Sequence, residues 1–294
     1  MFKTEINGVG AEVHTLREAE NGVVDVLIHG YTAVTREKDL ELFQKSAALL
    51  PEATVLLLHW DAGNAVNETL RSAAQYAMEG PCRNVRRARP YFWLADALLG
   101  GVKGIADSFS YARKRADRLA EGLADFLPRM LRHRVYARLN LVGHSLGARI
   151  LVQWLKKSTP PWRVGDVVLM GAAISWPREG LRFPQAGQRL FNLYSEKDTV
   201  LRLPQRECLG RVGLPGDIAQ APGVVQMHCL GFGHRDYWPA LGSLSLAAGF
   251  LRAGESPWLH LAEKVPMREL MAAIEQGSSP KDLLLSGEQE APDA

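Results

Sequence analysis

Cysteine is scarce in this sequence, with three residues among 294. Cys82, Cys208 and Cys229 are odd in number and widely spaced, and they lack the Cys-x-x-Cys or Cys/His spacing of a zinc site. A disulfide scaffold is therefore not expected, and a chain of this length can bury a core without one. Sparse cysteine is typical of a reducing compartment, so we expect a cytoplasmic location.

Long apolar runs are also lacking. The most apolar stretch, residues 91–105, is interrupted by Asp96, Lys103 and the pair Gly100-Gly101, so no membrane-spanning helix is predicted. The first residues contain no apolar core of a secretory signal, so no such signal is expected. The formal net charge of +3 is small for the length, and no nucleic-acid partner is expected.

Motifs for metals and nucleotides are missing as well. No helix carries His-Glu-x-x-His, and no Asp-rich loop of the calcium-binding type occurs. The glycine-rich residues 100–104 lack the Walker spacing and do not follow a buried strand. We therefore expect no metal site and no cofactor.

The sequence does contain an alternation of buried strands and amphipathic helices. Two Asn-Gly pairs, at 7–8 and 21–22, mark turns between the first strands. One helix is predicted over residues 38–50. Another is predicted over 119–130, where apolar residues occur at helical spacing. The predicted strands are 4–6, 9–16, 23–29, 54–60, 138–142, 166–170, 189–194 and 224–230. This alternation predicts an α/β fold with a mainly parallel central sheet and helices on both faces.

The predicted domain organisation is a single domain over residues 1–275, with a polar, flexible tail at 276–294. Residues 61–108 break the strand and helix rhythm, because they hold an arginine cluster at 83–89 and the aromatic run 91–94. Insertions at the carboxyl end of a strand commonly cover a site, so a helical cap is predicted. An ordinary pair of core helices is the alternative.

The strongest local motif is Gly143-His144-Ser145-Leu146-Gly147, which lies between a predicted strand and a predicted helix. A serine on so tight a turn has a strained backbone, and the flanking glycines leave room for the chain to fold around it. We expect its hydroxyl to be exposed and the following helix N-terminus to favour negative charge beside it. Ser145 is thus the candidate nucleophile.

A serine nucleophile needs an imidazole base, and that base needs a third group to orient it. The expected chain order is serine, acid, histidine. Asp198 follows one later strand and His234 follows the last, so both would meet Ser145 at one sheet edge. Glu196 is the competing acid, and Asp236 is expected to cap the next helix.

An oxyanion hole requires two backbone N–H donors. The amide of Leu146 is the first candidate, and Tyr31, in the loop after an early strand, is the second. Gly30, Thr32 and His144 are the expected substrate-contacting residues, although the His144 side chain should point away along the turn. His29 is expected to brace the loop rather than to react.

The other histidines have weaker cases for a role in chemistry. His59 and His228 lie in predicted buried strands, where a structural role is the simpler interpretation. His14, His133 and His260 have no partners in the sequence pattern. None of these five is therefore a candidate site residue.

Several segments together resemble one known family. These segments are residues 112–120, 143–149, 166–172, 192–201 and 233–237. The sequence resembles the α/β-hydrolases of the transmembrane-and-coiled-coil type, a poorly characterised family, over about residues 23–250. The resemblance implies an α/β-hydrolase fold and a triad of Ser145, Asp198 and His234. The chain departs from the longer members by lacking their transmembrane segments, and the family supplies no substrate.

These features predict a serine hydrolase that cleaves carboxylic esters of the esterase or lipase type. The aromatic run after residue 90 favours an apolar acyl group, so the expected partner is a small-molecule or lipid ester. Two alternatives stay open. One is a phospholipase or lipid-modifying effector whose arginine cluster makes peripheral contact with a membrane surface, and the other is a non-catalytic binding module. The sequence does not reveal the oligomeric state.

Overall fold

The computed structural model describes residues 1–31, 36–62, 90–158, 163–202, 208–252, 256–259, 261 and 264–280. For residues 36–39 and 90–108 it describes the backbone and no side chains. The arginine cluster at 83–89, the aromatic side chains at 91–94 and most of the predicted tail lie outside the described residues. The predictions that depend on them stay predictions.

An antiparallel pair of strands opens the fold, and the first Asn-Gly turn joins its two members. Asn7 and Gly8 both have positive φ, at 49° and 76°, which suits the two-residue turn that matches strand twist. The second strand then pairs with the fourth, also in antiparallel fashion. The first and second strands therefore lie at one end of the strand order of the sheet.

The described strands form a single eight-stranded sheet with the order β1-β2-β4-β3-β5-β6-β7-β8. The strands are β1 (Phe2–Ile6), β2 (Val9–Arg17), β3 (Val23–Ile28), β4 (Thr54–Trp60), β5 (Arg138–His144), β6 (Val164–Met170), β7 (Arg189–Tyr194) and β8 (Val224–His228). All pairings from β4 through β8 are parallel. The carboxyl ends of these strands therefore share one edge, as the sequence predicted.

Helices cover both faces of the sheet. They are α1 (Arg36–Ala48), α2 (Pro90–Leu131), α3 (Leu146–Lys157), α4 (Thr199–Arg202), α5 (Leu209–Val212), α6 (Gly216–Ala219), α7 (Leu241–Ala248) and α8 (Met267–Glu275). Helices α2 and α3 pack on one face through Leu123 and Ile150, and α1, α7 and α8 pack on the other through Phe43, Leu244 and Leu270. Each such side chain contributes about 1.5–3 kcal/mol by leaving water.

Helix α2 begins within the predicted insertion. The sequence predicts a helical cap over residues 61–108, and the structure has one continuous helix from Pro90 to Leu131. Among the side chains that the structure describes on this helix, Ala112 is the first that is fully buried. The prediction that the insertion covers a site stays a prediction.

Candidate active site

A strained turn carries Ser145 at the carboxyl end of β5. The residue has φ 56° and ψ −115°, a conformation that costs a non-glycine residue about 1–3 kcal/mol. Its N–H donates to the Met170 carbonyl at 3.0 Å, and its own carbonyl accepts from the amides of Arg149 and Ala173 at 3.1 and 3.2 Å. Three backbone hydrogen bonds thus hold the strained residue in place.

The two glycines of the motif are required by close backbone contacts. A Cβ on Gly147 would lie 2.1 Å from the Ile28 carbonyl oxygen, and a Cβ on Gly143 would lie 2.7 Å from the Gly147 backbone. Neither position can accept a side chain unless the β3 end or the first turn of α3 moves. The spacing of the motif is therefore a consequence of packing β3, β5 and α3 together.

The structure brings Ser145, His234 and Asp198 into one hydrogen-bonded series. The Ser145 hydroxyl donates to Nε2 of His234 at 2.9 Å. Nδ1 of His234 donates to Oδ2 of Asp198 at 2.7 Å. These partners assign the neutral ring its proton on Nδ1, which leaves Nε2 free to take the serine proton.

The acid comes from the turn after β7. The Asp198 side chain is completely buried, whereas Glu196 is exposed. Oδ1 of Asp198 accepts from the Leu201 amide at 3.1 Å, so α4 fixes the second oxygen of the carboxylate. Asp198, and not the competing Glu196, therefore lies against His234.

The loop that carries His234 is closed by two hydrogen bonds that the sequence did not predict. Ser195 donates from Oγ to the Phe232 carbonyl at 2.7 Å, which ties the acid turn to the histidine loop. Asp236 accepts from the Gly233 amide at 2.8 Å. The prediction that Asp236 caps the next helix is wrong, because Ala240 occupies the N-cap of α7.

Access to the serine also differs from the prediction. Ser145 is only 2% exposed, so the expectation of an exposed hydroxyl is wrong for this structure. The side chain of His234 is 10% exposed. The series is thus shielded from bulk water, which strengthens its hydrogen bonds and its electrostatic interactions.

His144 lies against His234, contrary to the prediction that it points away. Nε2 of His144 donates to the His234 backbone carbonyl at 2.9 Å, and the two rings are 4.7 Å apart. Burial, and next the neighbouring His234, holds the pKa of His144 well below its usual range. A neutral His144 therefore supports the backbone of His234, and its predicted contact with substrate stays a prediction.

The predicted oxyanion-hole residues lie on both sides of Ser145. Leu146 is the first residue of α3, where backbone N–H groups lack partners within the helix. A Cβ on Gly30 would lie 2.6 Å from the Ser145 Cβ and 3.2 Å from its Oγ. The loop after β3 therefore passes so close to Ser145 that a side chain at Gly30 would collide with it. Tyr31 follows in that loop, and Thr32 lies outside the described residues.

His29 braces this loop, as predicted. Its Nδ1 donates to the Gly30 carbonyl at 2.6 Å, and its Nε2 accepts from the Trp60 amide at 3.0 Å. Burial, and next the adjacent His59, lowers the pKa of His29 to about 3. With both nitrogens occupied and no charge, His29 ties β3 to β4 beside the site.

An ion pair beside the motif is a further feature that the sequence alone did not reveal. Arg149, one turn after Ser145 on α3, donates from Nε and Nη2 to the two oxygens of Asp117 at 2.8 and 2.9 Å. Both residues lie within segments that carry the family resemblance, but their pairing needs the packing of α2 on α3. The contact fixes α2 against the helix that starts at the serine.

Two classes of site have no support in the part of the chain that the structure describes. No group of three or more His, Cys, Asp or Glu side chains there is placed to hold a metal ion. Among the same residues, no helix is both long and apolar enough to cross a bilayer.

Sheet order, strain and side-chain order together define the class of fold. A mainly parallel sheet with a serine on a strand-to-helix turn, followed by an acid and a histidine after later strands, is the α/β-hydrolase arrangement. The chain has this fold, as the sequence resemblance implied.

The family comparison covers part of the chain. The sequence model of a family described as "Protein of unknown function (DUF726)" matches residues 92–230. The matched segment contains Ser145 and Asp198 and ends before His234. The match is consistent with the resemblance to a poorly characterised family of α/β-hydrolases. No curated protein matches the sequence.

Solved structures similar to this chain include three hydrolases of low sequence identity. An α/β serine hydrolase homologue from Coxiella burnetii is 13% identical with a TM-score of 0.45, and the alignment covers 83% of this chain and 93% of that one. The carboxylesterase CesB from Bacillus subtilis is 10% identical with a TM-score of 0.41, covering 85% and 92%. A meta-cleavage product hydrolase from Pseudomonas fluorescens is 13% identical with a TM-score of 0.41, covering 83% and 93%.

Proposed function

We propose that the protein is a serine hydrolase that cleaves carboxylic esters through an acyl-enzyme. The observation that carries the proposal is the hydrogen-bonded series from the Ser145 hydroxyl through His234 to Asp198. Hydroxyl, imidazole and carboxylate are joined at the distances that proton transfer requires. The strained backbone of Ser145 supports the same role, since strain of this kind concentrates at functional residues.

In the acylation step the Ser145 oxygen attacks the ester carbonyl carbon while its proton moves to Nε2 of His234. The tetrahedral intermediate collapses, the bond to the alcohol oxygen breaks, and His234 returns the proton to the leaving alcohol. Asp198 keeps the ring oriented and stabilises its charged form. The product of this half-reaction is an ester of Ser145.

In the deacylation step a water molecule replaces the alcohol. His234 takes one proton from the water, the hydroxide oxygen attacks the acyl carbon, and the bond to Ser145 breaks as the proton returns to its oxygen. The carboxylic acid leaves, and the enzyme regains its starting state. No cofactor or metal takes part in the proposed reaction.

The negative oxygen formed in both steps requires N–H donors. We assign these to the amides of Leu146 and Tyr31. The first turn of α3 supplies the Leu146 amide together with the positive end of the helix dipole. The close approach of Gly30 to Ser145 supports a second donor from the next residue of that loop.

The test of this proposal is covalent labelling with a fluorophosphonate probe, read as the mass of the labelled peptide. We expect wild-type protein to be labelled on Ser145 and the S145A variant to be unlabelled. The exposed Ser110 on α2 gives a matched control, because S110A removes a hydroxyl without touching the site. Absence of labelling in folded wild-type protein would support the binding-module alternative instead.

The substrate class is tested with p-nitrophenyl esters of increasing acyl length. We expect turnover by wild type and by S110A, and a loss of about four to six orders of magnitude in S145A. Preference for longer acyl chains would support an apolar acyl pocket, and preference for acetate would contradict it. Turnover that requires vesicles rich in anionic lipid would favour the phospholipase alternative.

A further inference from the structure

A second cavity lies far from the proposed active site. It has a volume of about 500 Å³ and opens between the β1–β2 pair and the last turns of α2. Cavities that hold small organic ligands have volumes of roughly 300–1,000 Å³. The cavity is thus large enough for a ligand, and none of the predicted site residues lines it.

The floor of this cavity belongs to the apolar core. Val13 of β2, Leu56 of β4 and Phe126 of α2 line it, and all three are buried members of one core cluster. A chain that entered between β1 and α2 would therefore leave water and contact side chains that face the sheet interior. The three apolar side chains of the floor suit a hydrocarbon chain.

The mouth of the cavity is basic. Arg129, Arg132 and Arg134 line it together with His133. Arg134 is occupied, because its two terminal nitrogens donate to Glu18. Arg129 and Arg132 use only Nε, which donates to the Asp125 carbonyl and to His133 respectively. Within the described part of the chain, the terminal nitrogens of these two arginines form no hydrogen bond or ion pair.

Charge complementarity indicates an anionic headgroup. The described residues that line the cavity include no acidic side chain, so the mouth attracts anions. A guanidinium group presents paired N–H donors that match a carboxylate in two-point fashion. Arg129 and Arg132 stand where an anionic head would lie if an attached chain filled the apolar floor.

Exposed apolar side chains occur at the same mouth. Met1 and Phe2 both line the cavity and are 75% and 57% exposed. An exposed apolar patch that is bordered by polar residues often marks a ligand-binding groove or a partner site. An amphipathic ligand would contact these apolar side chains with its chain and the two arginines with its head.

The cavity and the active site lie at opposite edges of the sheet. Leu56 is near the amino end of β4, and Phe126 is near the carboxyl end of α2. Ser145 follows the carboxyl end of β5, at the other edge. A ligand in this cavity is therefore separate from a substrate bound at Ser145, and the inference does not depend on the proposed hydrolase activity.

We propose that this cavity binds a single-chain amphiphile with a carboxylate head, the chain lying on Val13, Leu56 and Phe126 and the head between Arg129 and Arg132. Binding buries the chain and neutralises the two arginines. The ligand class is that of a free fatty acid of medium length.

The experiment is calorimetric titration of the full chain with dodecanoate below its micelle concentration. We expect one site whose affinity falls about tenfold or more in the R129Q/R132Q variant, because two charge-assisted contacts are lost. The T15W variant fills the cavity from the exposed Thr15 on β2 and should abolish binding. The exposed Arg118 of α2 gives the matched control R118Q, which should bind as wild type does.

The outcomes separate this proposal from its rivals. Equal binding of dodecanoate by wild type and the double variant would overturn it, as would no binding by wild type. Equal affinity for the uncharged detergent octyl glucoside would remove the role of the arginines. Binding only to vesicles of anionic lipid, with none of the free carboxylate, would replace the cavity by a membrane contact. Circular dichroism and thermal unfolding verify that each variant is folded.

Discussion

The two edges of the sheet both bury polar side chains, but they hold them in different ways. At the carboxyl edge, Ser145, His234 and Asp198 form a single line of hydrogen bonds that starts on a strained residue. At the amino edge, Asp166 of β6 accepts four hydrogen bonds, which come from the Arg138 and Arg189 side chains and from the Leu251 amide.

The two hydrogen-bonding patterns suit different purposes: the one around Asp166 suits stability, and the one at Ser145 suits the proposed reactivity. Every acceptor position of Asp166 is used by charged or backbone donors, so four hydrogen bonds hold the carboxylate in one orientation. Along the other line, the Ser145 proton lies between two atoms that can both hold it. Redundant bonds stabilise a structure, whereas a series with one bond per step allows a proton to move.

The largest expected effect on this comparison comes from the acid of the carboxyl edge. D198N keeps the shape but favours the wrong ring tautomer of His234, so we expect kcat to fall about ten-thousandfold. The free energy of unfolding should change far less. The matched control is E196Q, which alters an exposed acid in the same turn. If E196Q were the inactive variant, the assignment of the acid would be wrong.

The second-largest expected effect is on stability, and it comes from removing the charge of Asp166 at the amino edge. D166N leaves Arg138 and Arg189 without their shared carboxylate. We expect the free energy of unfolding to fall by about 3 kcal/mol, the lower part of the range for broken buried pairs, because both arginines keep some contact with water. Urea unfolding measures this, and activity per folded molecule should not change. A variant that unfolds normally but loses activity would contradict the separation.

A smaller expected effect is a pH dependence of the free energy of unfolding, which arises from Asp25 of β3. Burial raises the pKa of this carboxyl from 3.8 to about 6, although a hydrogen bond from Asn140 opposes the shift. Between these two values the folded protein holds a proton on Asp25 that the unfolded chain has lost. The contribution of Asp25 to stability is therefore fully present below pH 3.8 and is lost as pH rises through 6. The D25N variant removes this loss.

The measurement for Asp25 is urea unfolding of wild type and D25N at pH 4 and pH 7. The stability difference should shift in favour of D25N by on the order of 2–3 kcal/mol between the two pH values. His29 has the opposite pH dependence, because its pKa is lowered, but it is common to both proteins and cancels. The exposed D217N is the control, and a pH-independent difference for D25N would reject the raised pKa.

The smallest effect concerns the support of His234. H144F keeps a ring beside His234 but removes the hydrogen bond to its carbonyl. This hydrogen bond contributes about 1 kcal/mol to holding His234 in place, so we expect kcat to fall about fivefold to tenfold with KM unchanged. H144N, which retains a donor, should recover part of the rate. An unchanged kcat in H144F would show that the contact is structural only.

Much of this architecture was predictable because its signals are local. The alternation of apolar strands with helices predicts the parallel sheet, and the five-residue motif predicts the turn at Ser145. Asp198 and His234 were predictable because each follows a strand in a fixed order. These inferences need only local sequence patterns and the order of the strands along the chain.

The missed contacts join residues that are distant in sequence. His144 reaches His234, Arg149 reaches Asp117, and Ser195 reaches the Phe232 carbonyl. No spacing rule connects such pairs, because the packing of separate elements decides them.

The backbone of Ser145 also bears on how this chain responds to selection. At φ 56° a glycine would be free of the steric cost that any L side chain meets. S145G should therefore unfold at a higher temperature than S145A. Random variation screened for heat resistance alone would favour glycine at this position, and only a screen that also demands turnover would retain serine.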